Sequence, residues 1–128
     1  MDRLSTRKQV PEREPTPGFA LCEDGSCPVS KAVRVLDGRW TILVVRDLLG
    51  GTRRFTDLRR SLGDVSPKTL TDRLRQLEDA GLVHREIYAE VPPRVEYSLT
   101  DEGRALEPVL QSLAAWGRRE IKIAEAEM

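Results

Sequence analysis

The chain has 128 residues, enough for one domain with a single modest core and well past the roughly 40-residue limit below which a fold usually needs metals or disulfides. Its 21 basic and 21 acidic residues cancel, so no global field draws it toward nucleic acid, and two cysteines with one histidine are too few for a disulfide scaffold, a four-cysteine zinc site or a histidine pair. No apolar run approaches the roughly 18 residues of a membrane span, the first twenty residues lack a signal peptide's apolar core, and no serine or cysteine has an evident catalytic partner. The expectation is a cytoplasmic protein that is no enzyme, with no cofactor, no metal and no membrane partner.

Residues 1–24 hold Pro11, Pro15 and Pro17 among mixed charges and few apolar residues, the composition of a flexible arm. From Pro28 to Leu36, Val29, Ala32, Val33 and Leu36 recur at helical spacing and Asp37-Gly38 ends the pattern, which predicts a first helix. Trp40 to Leu49 predicts a second, apolar on most sides and so central to the core. Arg53 to Phe55 suits a lone short strand. Thr56 is then a candidate cap for a third helix, with Leu58 and Leu62 facing inward and Gly63 stopping it.

The segment Val65 to Gly81, VSPKTLTDRLRQLEDAG, predicts a fourth helix with two unlike faces. Ser66 can cap it, Pro67 suits the first helical position where no backbone N–H is needed, and Gly81 can supply a left-handed stop. Leu70, Leu74 and Leu77 form one apolar stripe, while Lys68, Asp72 and Arg75 lie opposite, flanked by Thr69 and Gln76, with Arg73 at the leucine edge. The stretch from Gly51 to Gln76 carries seven basic residues against three acidic ones, a local excess of four in a chain that is neutral overall. A charged helix face is often only solvated. Here, however, two short helices joined by Gly63-Asp64-Val65 match the spacing of a helix-turn-helix, whose second member enters the major groove.

Val83 to Glu90 and Arg94 to Leu99 are rich in β-formers, with Val95, Tyr97 and Leu99 on one side, and Val91-Pro92-Pro93 between them predicts a stiff projecting turn. A helix-turn-helix followed by a hairpin is a winged helix. The last helix is predicted from Thr100, its cap, with Leu106, Val109, Leu110, Leu113 and Trp116 as a stripe that Pro108 should kink. The chain therefore divides into an arm at 1–24, a winged helix-turn-helix domain at 25–120, and a C-terminal extension at 121–128. Its class is α+β, mainly helical.

Three segments, CPVSKAVRVLDGRWTILVVRDLLGG at 27–51, RRFTDLRRSLGDVSPKTLTDRLRQLEDAGLVHRE at 53–86 and VPPRVEYSLTDEGRALEPVL with AAW within 91–116, resemble the HxlR-type regulators, bacterial winged-helix transcription factors related to the MarR group. VPPRVEYSLTDEG is the most specific of them. The resemblance implies a homodimer built from N- and C-terminal dimerisation helices, which places Val29, Val33, Leu106, Val109, Leu110, Leu113 and Trp116 at the interface. The apolar stripe of the last helix supports this, although such a stripe can also pack on its own domain. The resemblance further implies binding to a pseudo-palindromic double-stranded DNA operator through Pro67 to Gln76 and a wing at Pro92 and Pro93, with repression the commoner mode.

Position then assigns the contacts. Lys68, Thr69, Asp72 and Arg73, with Arg75 and Gln76, stand where a recognition helix meets bases, and Ser66 with the first-turn N–H groups can hold a phosphate. Asp72 suits either a cytosine amine or the orientation of Lys68 or Arg73. Arg94, Arg53 and Arg54 are candidates for backbone or minor-groove contacts. Some members of the resembled family sense oxidants or electrophiles through a cysteine at the position of Cys27, beside Pro28 and Val29. For Cys27 that role stands beside a second one, a small buried residue near the dimer interface, and a Cys22–Cys27 or intersubunit bridge is one further arrangement. A small-molecule effector cavity is also open. The alternative function is a winged helix that binds protein instead of DNA.

Overall fold

A computed structural model describes residues 27–123. The arm at 1–24, Cys22 within it, and residues 124–128 of the extension lie outside that range. The elements are α1 (Pro28–Val35), α2 (Thr41–Leu49), β1 (Arg53–Arg54), α3 (Phe55–Leu62), α4 (Pro67–Asp79), β2 (Val83–Tyr88), β3 (Arg94–Leu99), α5 (Asp101–Arg104) and α6 (Glu107–Gly117). By contacts the chain divides between Ala32 and Val33, inside α1, and the core belongs to the part from Val33 onward.

That core is assembled from the predicted stripes. Val44, Val45 and Leu48 of α2, Leu58 and Leu62 of α3, Val65 of the following turn, and Leu70, Leu74 and Leu77 of α4 bury against Val83 and Leu99 of the sheet. Each fully buried leucine or valine contributes about 1.5–3 kcal/mol relative to exposure. The sheet is antiparallel with order β1-β3-β2. Its hairpin runs in register from Val83 opposite Leu99 to Tyr88 opposite Arg94, so the turn at 89–93 projects at its far end.

The ends of α4 have identifiable causes. The Ser66 side chain accepts a hydrogen bond from the Thr69 N–H at 3.1 Å, and Pro67 occupies the first turn. At the other end Gly81 adopts φ +80°, its N–H reaching the Glu78 carbonyl at 3.0 Å while Leu82 N–H reaches that of Leu77 at 2.9 Å. This pair of bonds is a Schellman closure, and it turns the chain directly into β2.

Two boundaries differ from expectation. The third helix starts two residues early, at Phe55, so Thr56 lies within its first turn and Arg54 takes the cap position. The reason is Asp57, whose Oδ2 accepts the Arg54 N–H at 3.3 Å and so satisfies the backbone from inside the helix.

The second difference is at the C-terminus, where no single kinked helix forms. Thr100 does cap, accepting from Gly103 N–H at 3.1 Å and donating to the Gly81 carbonyl at 2.7 Å. Gly103 then lies so close to Leu82 that a Cβ would collide with that carbonyl. The chain turns at Ala105 and Leu106 and restarts as α6, with Pro108 in its first turn, where a missing N–H costs nothing. The restart splits the expected stripe. Leu106 and Leu110 pack on the core of their own chain, whereas Val109, Leu113 and Trp116 point outward.

Candidate nucleic-acid interface

The turn at 63–66 brings α3 and α4 together as a helix-turn-helix, anchored by the buried Val65 between them. Burial of the leucine stripe leaves Ser66, Pro67, Lys68, Asp72 and Arg75 exposed on the outer face of α4, with Thr69 half-buried. Lys68 Nζ lies 3.1 Å from Asp72 Oδ2, one helical turn on, so Asp72 steers the lysine. Both groups are open to solvent, and the pair is easily exchanged for a ligand. The N-terminal anion site is narrower than expected. Pro67 has no N–H, that of Thr69 bonds to Ser66 Oγ, and that of Leu70 bonds to the Ser66 carbonyl, which leaves the Lys68 amide and the helix dipole at the tip.

Arg73 and Gln76 sit differently from their neighbours. Both are half-buried, Arg73 Nη1 donates to Gln76 Oε1 at 2.8 Å, and Gln76 Nε2 donates to the carbonyls of Val35 at 2.9 Å and Asp37 at 3.2 Å. Their polar atoms therefore engage the turn between α1 and α2. Sequence position alone placed them beside Lys68 and Asp72, because a helical wheel does not show which neighbour lies across an edge.

On the wing, Arg94 is held from three sides. It pairs with Glu90 at 2.9 Å and approaches Glu96 at 3.1 Å through Nε, without hydrogen-bond alignment in the second contact, and its guanidinium lies 4.2 Å from the centre of the Tyr88 ring. These contacts brace the projecting tip at Val91, Pro92 and Pro93, all exposed, whose Val91–Pro92 peptide is cis. Between the tip and the start of α3 runs a groove of about 410 Å³, lined by Arg54, Thr56, Pro92 and Arg94 among others. Arg53 bonds to the neighbouring Thr52 carbonyl at 3.2 Å, and Arg54 is exposed. The outer face of α3 adds Arg59 and Arg60, both exposed, with Arg60 3.5 Å from Asp57. Both belong to the basic stretch at 51–76 and to none of the contact positions expected from the sequence. The charge excess was the signal that pointed to them.

A second groove, about 540 Å³, lies between the outer side of α4 and the sheet, where Arg75, Glu78, Arg85 and Tyr97 meet. Burial pushes the Tyr97 hydroxyl pKa up and Glu78 adds to the rise, against the opposing pull of Arg85 and Arg75. The folded state thus favours the neutral phenol.

The expected interface residues fall into two sets. No residue of α1 or α6 is buried. Val29 and Val33 on α1 and Val109, Leu113 and Trp116 on α6 are 45–59% exposed, against the half-buried Leu106 and Leu110. Cys27 sits immediately before α1, half-buried, its carbonyl accepting the Lys31 N–H at 3.0 Å. Among the described residues no group of three or more potential metal ligands converges, and no helix is long and apolar enough to cross a membrane.

With this geometry in view, the chain's similarity to other proteins is informative. A family model described as HxlR-like helix-turn-helix matches residues 35–125. The uncharacterized HTH-type transcriptional regulator sll1512 of Synechocystis is 50% identical over 91 residues, which cover 71% of this chain and 67% of that protein. A crystal structure assigned to the MarR family of transcriptional regulators, from Porphyromonas gingivalis, superposes with a TM-score of 0.74 at 35% identity, covering 80% of this chain and all of that one. The redox regulator HypR in its oxidized form gives 0.71 at 40% identity, covering 76% of this chain and all of its own.

Proposed function

The chain belongs to the HxlR-like helix-turn-helix family and is a winged-helix transcriptional regulator, not an enzyme; from that premise we propose that it binds a pseudo-palindromic operator as a homodimer and represses transcription. The observation that carries the reading is the outer face of α4. Its core-facing leucines are covered, while Lys68 and Asp72, paired with each other, and Arg75 stand exposed on a capped helix beside exposed arginines of α3. Lys68 and Thr69 lead as base or phosphate contacts, Ser66 and the Lys68 amide hold a phosphate, and Arg53, Arg54 and the wing tip at Pro92 and Pro93 follow the flanking backbone or minor groove. Arg94 serves the wing by stiffening it.

The apolar faces of α1 and α6 supply the second copy's contact, which presents α4 twice. Half-site centres then lie about 10 base pairs, or a multiple of that, apart. The signal is oxidative and enters through Cys27, a reading supported by its place at the start of α1 and by the likeness to HypR. Diamide should release the operator from the wild type but not from Cys27→Ser.

Selection of bound genomic fragments followed by mobility shifts tests the assignment. Lys68→Ala should weaken operator binding by about 1–3 kcal/mol if it touches a base, or flatten the salt slope by about one unit if it touches a phosphate. A wild type that selects no fragment, or a mutant of unchanged affinity and slope, removes this face from the account and turns attention to protein partners.

A further inference from the structure

The carbonyl of Val35 is the last of α1, an acceptor with no partner inside its own helix, and Asp37 carries another carbonyl in the turn that follows. Both accept from one side chain 39 to 41 residues away, the Gln76 amide of α4. Asp37's carbonyl also takes the Thr41 hydroxyl at 2.5 Å, so this carbonyl joins the first residue of α2 to α4. The Gln76 amide has no choice of orientation, because its Oε1 already accepts from Arg73 Nη1 and only the Nε2 side can donate to carbonyls. Arg73 in turn lies against Gly38, where a Cβ would stand 3.1 Å from its Cζ and Nε, and Gly38 has φ +103°. Glycine at this position answers both constraints, the left-handed backbone and the close approach of the guanidinium.

A glutamine whose oxygen and both N–H groups are occupied within the protein has nothing left for the bidentate pair it would make with an adenine edge. We infer that Gln76, braced by Arg73, is a positioning residue that fixes the recognition helix to the end of α1, so that the angle of α4 is set from the helix whose apolar face includes Val33. The inference rests on the DNA-reading assignment of α4 and deepens it. A change in how α1 sits reaches the DNA-facing residues through two side chains of α4 itself, with no relay through the core. Arg73 Nε, buried and without a partner, marks the guanidinium as held by packing against this turn.

Two variants open the latch from opposite sides. Gln76→Met keeps volume and neutrality but removes both donors, while Gly38→Ala keeps the sequence of α4, displaces Arg73 and adds strain of its own at φ +103°. In the free protein, both should raise backbone hydrogen exchange over residues 35–41. On the selected operator, both should weaken binding by about 2- to 30-fold, while the ranking of base-substituted operators and the salt slope stay as in the wild type. A base preference altered at one position by Gln76→Met would make Gln76 a reader and overturn the proposal, as would unchanged exchange in both variants. Should Gln76→Met fail to fold, Gln76→Glu, which likewise lacks both donors, takes its place. Should the wild type bind no operator, the DNA reading falls, yet the exchange measurement still decides the latch.

Discussion

The leucines of α3 and α4 and the valines of α2 close on one another and on Val83 and Leu99, whereas α1 and α6 bury no residue and turn five large apolar side chains outward. The two regions use the same helical spacing. In the winged-helix body the stripe finds its partner within the chain, whereas in the terminal helices Leu110 packs on the body and Val29, Val33, Val109, Leu113 and Trp116 stay exposed among the described residues. An amphipathic pattern therefore states that a face is to be covered, and the difference between these regions teaches that only the surrounding fold says by what.

The contrast can be broken experimentally, beginning at the body. Leu74→Ala should cost about 2–5 kcal/mol of unfolding free energy, measured by urea denaturation and independent of protein concentration, because its site is sealed on all sides. Trp116→Ala is next, at about 2 kcal/mol or more in dimer dissociation read by sedimentation equilibrium, with little change in the unfolding of the monomer. If Trp116→Ala instead destabilises the fold at every concentration, α6 belongs to the body. Ser66→Ala should cost about 1 kcal/mol through the lost cap and show as a lowered melting temperature.

The smallest effect is alkaline. Burial, helped by Glu78 and opposed by Arg85 and Arg75, holds the Tyr97 pKa above its unfolded value near 10, so the folded state prefers the neutral phenol. Stability is then fully present below pH 10 and declines as pH rises through 10 toward the folded pKa. Tyr97→Phe should flatten that decline in denaturant titrations at pH 9–11.

Much of the winged helix was legible in the sequence, because its signals are local. Ser66, Pro67 and Gly81 mark the ends of α4 by chemistry that needs no tertiary context, and the leucine spacing names the buried face. The errors arose where a neighbour decides. Thr56 looked like a cap until Asp57 bonded the Arg54 amide from within the helix, and Pro108 looked like a kink until the Gly103 approach to Leu82 ended the first segment. The outer half of the candidate interface, Lys68 and Asp72, was readable from the helical wheel. The inner half was not, since Gln76 finds Val35 and Asp37 across 39 to 41 residues of chain, beyond the reach of any local pattern. The partners of Arg94, Glu90 and Glu96, were not legible for the same reason, being fixed by the hairpin's register.

Hydroxyl-radical footprinting of the protein on its selected operator tests the central claim most directly, that an α4 face held by a closed body is presented twice by helices that the body leaves uncovered. The account predicts two protected half-sites related by a dyad, with centres about 10 base pairs, or a multiple, apart, both lost together in Trp116→Ala. A single isolated half-site, or a paired footprint that survives with Trp116→Ala shown to be monomeric in solution, would contradict it.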